Sequence, residues 1–162
     1  MSKIKYPVTA AIRFLREHQV IFEPKEYTYV EHGGTAQSAL SLGVAEHAVI
    51  KTIVLQNEHK QGLIVLMHGD RHISTRKLAR DLGMKHIEPA SPQQANKWTG
   101  YLVGGTSPFG NKADLPVYVE ESIYALPRIY INGGKRGFLV EMCPQDLICL
   151  QPRSVQVATE IT

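Results

Sequence analysis

Apolar residues recur along this chain in short blocks, and the spacing within each block assigns it to a helix or a strand. Ala11, Ile12 and Leu15 share one helical face behind Thr9, a suitable cap for a helix ending near His18. Val20 to Val30 reads as extended chain. Thr35 predicts the cap of a second helix, with Ala36, Ala39 and Leu40 on its apolar side and Gly43 at its left-handed end. Val49 to Gln56 is a β-branched apolar run interrupted by Lys51 and Thr52. With the polar stretch Asn57 to Gly62 and then Leu63 to His68, it predicts a β-hairpin. Ser74 or Thr75 opens a helix carrying Leu78 and Leu82 and stopped by Gly83, before a short strand Lys85 to Glu88. Ser91, Pro92 and Gln94 form a helix start, with a side-chain cap, a proline where no N–H is needed and a capping-box glutamine. Trp98 closes that helix.

From Tyr101 onward the pattern is mainly extended: Tyr101 to Val103, Leu115 to Val119, Arg128 to Ile131 and Phe138 to Met142. Asn132-Gly133-Gly134 predicts a turn, because glycine tolerates positive φ and asparagine nearly so. Pro144, Leu147, Ile148 and Leu150 predict a last helix that Pro152 terminates. No repeat or linker interrupts the pattern. The reading is one α+β domain over residues 1–162, built on a mixed, mainly antiparallel sheet with flanking helices.

Composition narrows the class. The chain has 162 residues, 43% hydrophobic and 20% charged, with a net charge of +3, which excludes disorder and permits an anionic partner without requiring one. Runs such as Leu63 to Met67 are far too short to cross a bilayer. Cys143 and Cys149, six positions apart, read as two small core hydrophobes rather than a disulfide or metal pair. Met1 to Thr9 has two lysines without a following apolar segment, so no secretory signal is expected and the cytoplasm is the expected compartment.

Three segments carry candidate chemistry. Gly104-Gly105-Thr106-Ser107-Pro108-Phe109-Gly110 is a loop whose bare N–H groups can approach a phosphate or carbonyl, or else a tight structural turn. It is not a Walker loop, since Asn111 precedes Lys112 and no Ser or Thr follows. Alternation puts Lys51 on one strand face with Val49, Ile53 and Leu55, and Ile50, Thr52 and Val54 on the other. A lysine there either snorkels to water or lines a pocket and meets an anion. Asn132-Gly133-Gly134-Lys135-Arg136-Gly137 carries two cations on a glycine loop, fit for phosphate contacts or simply for an exposed hairpin tip. The seven histidines show no HExxH spacing and read as satisfied surface residues; GxSxG and GxGxxG are absent too. A hydrolase built from this chain works without an evident protein nucleophile or metal.

Thr99 to Gly110, the Lys51-Thr52 strand and Gly133-Gly134-Lys135-Arg136-Gly137 together resemble the YbaK/EbsC-type aminoacyl-tRNA deacylases, relatives of the editing insertion domain of bacterial prolyl-tRNA synthetase. The similarity runs in order from the first helix to the helix after Pro144. The resemblance implies a compact α+β domain with a partly barrel-like sheet, acting in trans on the ester that joins a wrong amino acid to tRNA. The nearest-looking branch removes Cys from tRNA(Pro). It implies Lys51, Gly105 and Ser107 as the catalytic set: Lys51 binds the terminal adenosine phosphate or orients the ester, while the Gly104, Gly105 and Ser107 backbone, stiffened by Pro108, holds the nucleotide and reacting carbonyl. Tyr29, Thr52, Gly104, Thr106, Pro108, Asn132, Gly133, Gly134 and Arg136 are implied to contact substrate.

By the same resemblance no metal or cofactor takes part, and the cysteine thiol or a ribose hydroxyl assists its own release. The implied partners are the charged acceptor end of tRNA and prolyl-tRNA synthetase. The chain departs from the family pattern at Val8-Thr9-Ala10, where relatives show Thr-Pro-Ala. Leu139 stands where an Asp marks Cys-specific relatives, and Gly33-Gly34 replace a stretch that often holds an aromatic residue. Two other readings follow: an Ala-tRNA(Pro) or broader small-residue deacylase, and a non-catalytic module that binds tRNA or a synthetase through Lys135, Arg136 and nearby cations.

Overall fold

Capping chemistry sets the first helix in place. In the computed structural model, which describes residues 5–160, Thr9 Oγ1 accepts from Ile12 N at 3.1 Å, starting α1 (Ala10–Glu17). The same hydroxyl donates to Gly133 O, tying the helix to a distant strand. Ser74 and Ser91 cap α3 (Thr75–Leu82) and α4 (Pro92–Thr99) in the same way, and Gly83 and Gly100 end them at left-handed φ. The remaining helix is α2 (Gly34–Leu42), which Gly43 ends at φ 68°.

The strands are β1 (Phe22–Glu26), β2 (Val49–Asn57), β3 (Gly62–His68), β4 (Arg71–Ile73), β5 (Ile87–Pro89), β6 (Val117–Glu120), β7 (Ile129–Lys135), β8 (Phe138–Met142), β9 (Arg153–Val155) and β10 (Ala158–Glu160). The main sheet runs β1-β8-β7-β2-β3-β6-β9, with β5 also on β2, and β10 pairs with β4 apart from it. Parallel pairs β2·β7, β3·β6 and β6·β9 join antiparallel ones, so the sheet is mixed as expected. The two faces of β2 bury different cores: Ile50 and Val54 join α1, Phe109 and Phe138 on one side, while Leu55 joins Val65, Met67 and Leu78 on the other. Val49 packs with Ala39 and Leu139 in a third cluster beside α2. Glu120 is buried and accepts from Val157 N at 2.6 Å and Ala158 N at 2.9 Å, anchoring the last strand.

Several expectations shift. Tyr101 to Val103 forms no strand: Asn96 Nδ2 donates to Tyr101 O and Gly105 N to Leu102 O, so local bonds take the groups a ladder would use. Asn132-Gly133-Gly134 is not the hairpin turn but an irregularity inside β7, where Asn132 Oδ1 accepts from Gly134 N and Lys135 N. The tip lies at Arg136 and Gly137, between Lys135 and its partner Phe138. Thr35 does not cap α2; its hydroxyl donates to Glu46 Oε2 at 2.7 Å, and Gly33 takes the cap position. The extended stretch from Val20 narrows to β1, and Pro144–Leu150 is a 3-10 helix with Cys143 just before it. The structure adds strands β4, β9 and β10, whose three residues each carry too little periodicity to mark them in the sequence. Of the N-terminal segment Met1 to Thr9, residues 1–4 lie outside the described residues. Among the described residues no helix is long and apolar enough to cross a membrane.

Candidate active site

β2 is covered along one edge and interrupted along the other. β3 pairs with it from Ile50 to Gln56. On the opposite edge β7 reaches only Val49 and Ile50, and β5 only Leu55 to Asn57. β7 departs at its irregularity, and on the other side Ser91 and Pro92 turn the chain from β5 into α4. Between them residues 51–54 border a cavity of about 510 Å³. Its walls come from β2, from Tyr27 and Tyr29 after β1, from Thr35, Gln37 and Ser38 on α2, from Ala90 and Ala95, and from Val103, Gly104 and Thr106.

Lys51 faces this space in part and is tethered at its tip: Nζ donates to Arg71 O on β4. Burial pulls its pKa below that of an ordinary lysine, and the carboxylates of Glu46 and Asp70 oppose that pull. Both carboxylates are themselves fixed. Glu46 accepts from Thr35, and Asp70 sits 2.7 Å from His47 Nδ1 and 3.1 Å from Arg71 Nη1. Burial would raise the Asp70 pKa, but the His47 hydrogen bond with the His47 and Arg71 charges outweighs it and holds the pKa low.

Behind Asp70 the His47 and His68 rings stack at 3.7 Å and 6°. His68 Nδ1 lies 2.8 Å from His47 O and Nε2 lies 2.7 Å from Ser122 Oγ. A carbonyl only accepts, so its partners assign the His68 proton to Nδ1 and make Nε2 the acceptor of the Ser122 hydroxyl. Burial lowers the His68 pKa, which favours this neutral form. The surface reading of the histidines fails here, since His68 is 1% exposed on β3. His47, His68 and Asp70 do bring ligand atoms within 4.8 Å of one another. Parallel stacked rings, however, aim their in-plane lone pairs side by side, so one ion at about 2 Å would have to leave both ring planes. The cluster braces the β3–β4 turn that holds Lys51.

The glycine loop divides into two halves. Gly104 and Thr106 line the cavity, whereas Gly105 and Ser107 are buried and lie outside its walls. Gly105 N is bonded to Leu102 O, and Ser107 Oγ accepts from Phe109 N. Pro108 and Phe109 are buried too, and Tyr101 donates its hydroxyl to Phe109 O at 2.5 Å. Burial pushes the Tyr101 phenol up to about 12, so it stays a donor. At the cavity lip Arg136 Nε donates to Val103 O at 2.7 Å and its guanidinium sits 5.2 Å from the Tyr29 ring centre. Asn132 Nδ2 donates to Gly104 O at 3.1 Å. A Cβ on Gly104 would lie 2.8 Å from Tyr29 Oη, so this glycine lets the tyrosine close over the loop.

Lys51, Thr52, Tyr29, Gly104, Thr106, Asn132 and Arg136 therefore meet at one cavity. Gly133 and Gly134 pack instead against Phe138 and against Tyr101 with Thr9, and Lys135 is exposed beyond the walls. Sequence reasoning missed Tyr27, Gln37, Ser38, Ala90 and Ala95, which no local motif marks. Thr52 Oγ1 is buried and has no hydrogen-bond partner among the described residues. The cysteines are both free, and burial pushes the Cys149 thiol up to about 11, which leaves it a poor nucleophile.

The fold and site together define a mixed-sheet α+β protein with a cavity opened at the edge of β2 beside the half-buried Lys51. A sequence profile described as the aminoacyl-tRNA editing domain matches residues 14–150, and the chain belongs to that family. It is 30% identical over 143 residues to the "Putative Cys-tRNA(Pro)/Cys-tRNA(Cys) deacylase EbsC" of Enterococcus faecalis, covering 88% of this chain and 87% of that protein. It is 28% identical over 100 residues to a proline–tRNA ligase of Trichlorobacter lovleyi, covering 62% of this chain but 17% of the ligase. The fold matches the crystal structure of a "putative trans-editing enzyme for prolyl tRNA synthetase", with TM-score 0.81 and 20% identity over 95% of this chain and 99% of that one.

Proposed function

We propose that this chain is a trans-editing deacylase that hydrolyses mischarged aminoacyl-tRNA, with Cys-tRNA(Pro) as its substrate. The observation that carries this reading is the cavity itself, where Lys51, Thr52, Gly104 and Arg136 converge in a chain of the editing-domain family. Water adds to the ester carbonyl, the bond to the ribose oxygen breaks, and that oxygen leaves with a proton. The cysteine thiol or the free ribose hydroxyl assists, so the protein supplies position and charge. Lys51 offers the ammonium for the terminal phosphate or the ester. Leu139, in place of the Asp that marks Cys-specific relatives, presents an apolar wall to the cavity that suits a thiol better than a hydroxyl. That same wall accepts a methyl group, which gives the second reading, Ala-tRNA(Pro). The acceptor end is the part of tRNA the cavity takes, and prolyl-tRNA synthetase is the partner that would supply tRNA selection.

The test is a panel of Cys-, Ala- and Ser-tRNA(Pro) incubated with the protein, each corrected for spontaneous ester loss. Discharge of the Cys ester is expected to lead, with Ser slowest. No discharge from any member overturns the deacylase reading, and tight, salt-sensitive binding of uncharged tRNA without turnover would mark a binding module instead.

A pH dependence follows from the Lys51 environment. If the charged lysine is the working form, kcat/KM falls as pH rises through a pKa lowered below the ordinary lysine range. Asp70→Asn removes one of the two charges that raise this pKa, so the alkaline limb is expected to move to lower pH. The pH profile of kcat/KM for both proteins checks this, and an unmoved limb would separate Asp70 from Lys51.

A further inference from the structure

The uncovered stretch of β2 has a defined hydrogen-bonding chemistry. Odd-numbered residues turn their main chain toward β3: Val49 O accepts from Gly69 N and Asn57 N donates to Gln61 O. Even-numbered residues turn to the other edge, where Val54 O accepts from Ala90 N at 3.1 Å. Thr52 lies between the two flanking strands, with β7 ending at Ile50 and β5 beginning at Leu55. Alternation therefore points both its N–H and its C=O into the gap, where no strand of the described residues is in register. Both main-chain groups are thus left without a strand partner at the cavity wall, and the buried Thr52 Oγ1 also has no hydrogen-bond partner among the described residues.

In an antiparallel ladder, a residue oriented like this exchanges two bonds with the one residue opposite it. An α-aminoacyl ester offers the same complement within a single residue: an amino group that donates and a carbonyl that accepts. We propose that Thr52 holds the aminoacyl group of the substrate as a one-residue strand addition, its N–H donating to the ester carbonyl oxygen and its C=O accepting from the α-amino group. The proposal rests on the deacylase reading above and specifies which atoms of that substrate the sheet edge recognises. Gly105 N–H is spent on Leu102 O and is not available to the ester, whereas the Thr52 N–H at the strand edge is placed to meet the carbonyl oxygen as negative charge develops on it. Recognition by main chain reads the α-amino acid class and leaves the choice of side chain to cavity walls such as Leu139.

The experiment uses tRNA(Pro) carrying whichever amino acid the panel shows to be discharged, beside the matching deamino acyl ester, which has hydrogen in place of the α-amino group. Each rate is divided by that ester's spontaneous hydrolysis. The deamino ester, which has no donor at the α-position, is expected to lose about tenfold or more in kcat/KM, the scale of one hydrogen bond to a charged group. Thr52→Val is expected to keep the amino-to-deamino ratio within about twofold whatever it does to the overall rate, since the main chain is unchanged. Equal rates for the amino and deamino esters overturn the proposal. So does a ratio that collapses in Thr52→Val, which would assign the contact to the hydroxyl. A terminal purine lacking the exocyclic amino group tests the other ligand with a donor and acceptor side by side, the base edge. Its rate is expected to stay within about twofold of the normal terminus, and a large loss there with none for the deamino ester overturns the proposal in favour of the base. Failure to discharge any natural aminoacyl ester overturns the deacylase reading itself, and is distinct from every other outcome.

Discussion

Lys51→Ala and Lys51→Met are expected to lower kcat/KM for aminoacyl-tRNA discharge by about 100-fold or more, the scale on which a positioned charge or donor acts in a shielded site. Lys51→Met is expected at the same time to leave the melting temperature unchanged or to raise it. The sign follows from linkage. Burial lowers the folded-state pKa, so the charged Lys51 costs stability at neutral pH, and that cost is relieved as pH rises from the lowered folded-state pKa to the ordinary lysine value. A methionine keeps the aliphatic stem and removes the buried charge. Activity lost with stability kept is the signature of a residue retained for chemistry, whereas activity and stability falling together would make Lys51 a structural tether for Arg71 O. Paired discharge assays and thermal melts distinguish these outcomes.

Gly110→Ala is expected to act on stability. Gly110 has φ 68°, and a Cβ there would lie 2.5 Å from Ala10 O and 2.8 Å from Ala10 C. These are backbone atoms at the start of α1, which Thr9 also fastens to β7, so neither side yields cheaply. Left-handed strain with a backbone clash of this size is worth about 3 kcal/mol. For a domain of this length the melting temperature falls by about 10 °C. By contrast Gly104→Ala, at the other end of the same loop, displaces Tyr29 from the cavity lip and is expected to reduce discharge more than stability. The two substitutions divide the loop into a half that anchors the core through Phe109 and a half that borders the cavity.

Much of this was legible in the sequence. Ser91, Pro92 and Gln94 gave the start of α4, because capping is local chemistry, and Gly43 and Gly83 gave helix ends for the same reason. The strand alternation that set Lys51 apart from Ile50 and Val54 also held, since a period of two follows from the pleat alone. Asn132-Gly133-Gly134 was legible as a departure from regular chain but not as its kind. Whether a glycine run makes a turn or a bulge depends on the partner strand, and here Phe138 pairs with Lys135 beyond it. Lys135 and Arg136 looked equivalent in sequence, yet only Arg136 borders the cavity, held between Tyr29 and Val103 O.

The local signals determined where chain direction changes, which strand carries the isolated lysine, and which loop allows close approach of the backbone. Only the tertiary structure decided that β7 leaves β2 after Ile50 and that β5 joins it at Leu55. Strand pairing is a contact between residues far apart in sequence, set by how the faces of several elements bury together, so no window of residues encodes it. The uncovered edge at Thr52 is a product of that pairing. The glycine run and the Ser-Pro helix start beside it can each be read in the chain, but the gap between them exists only once both flank the same strand.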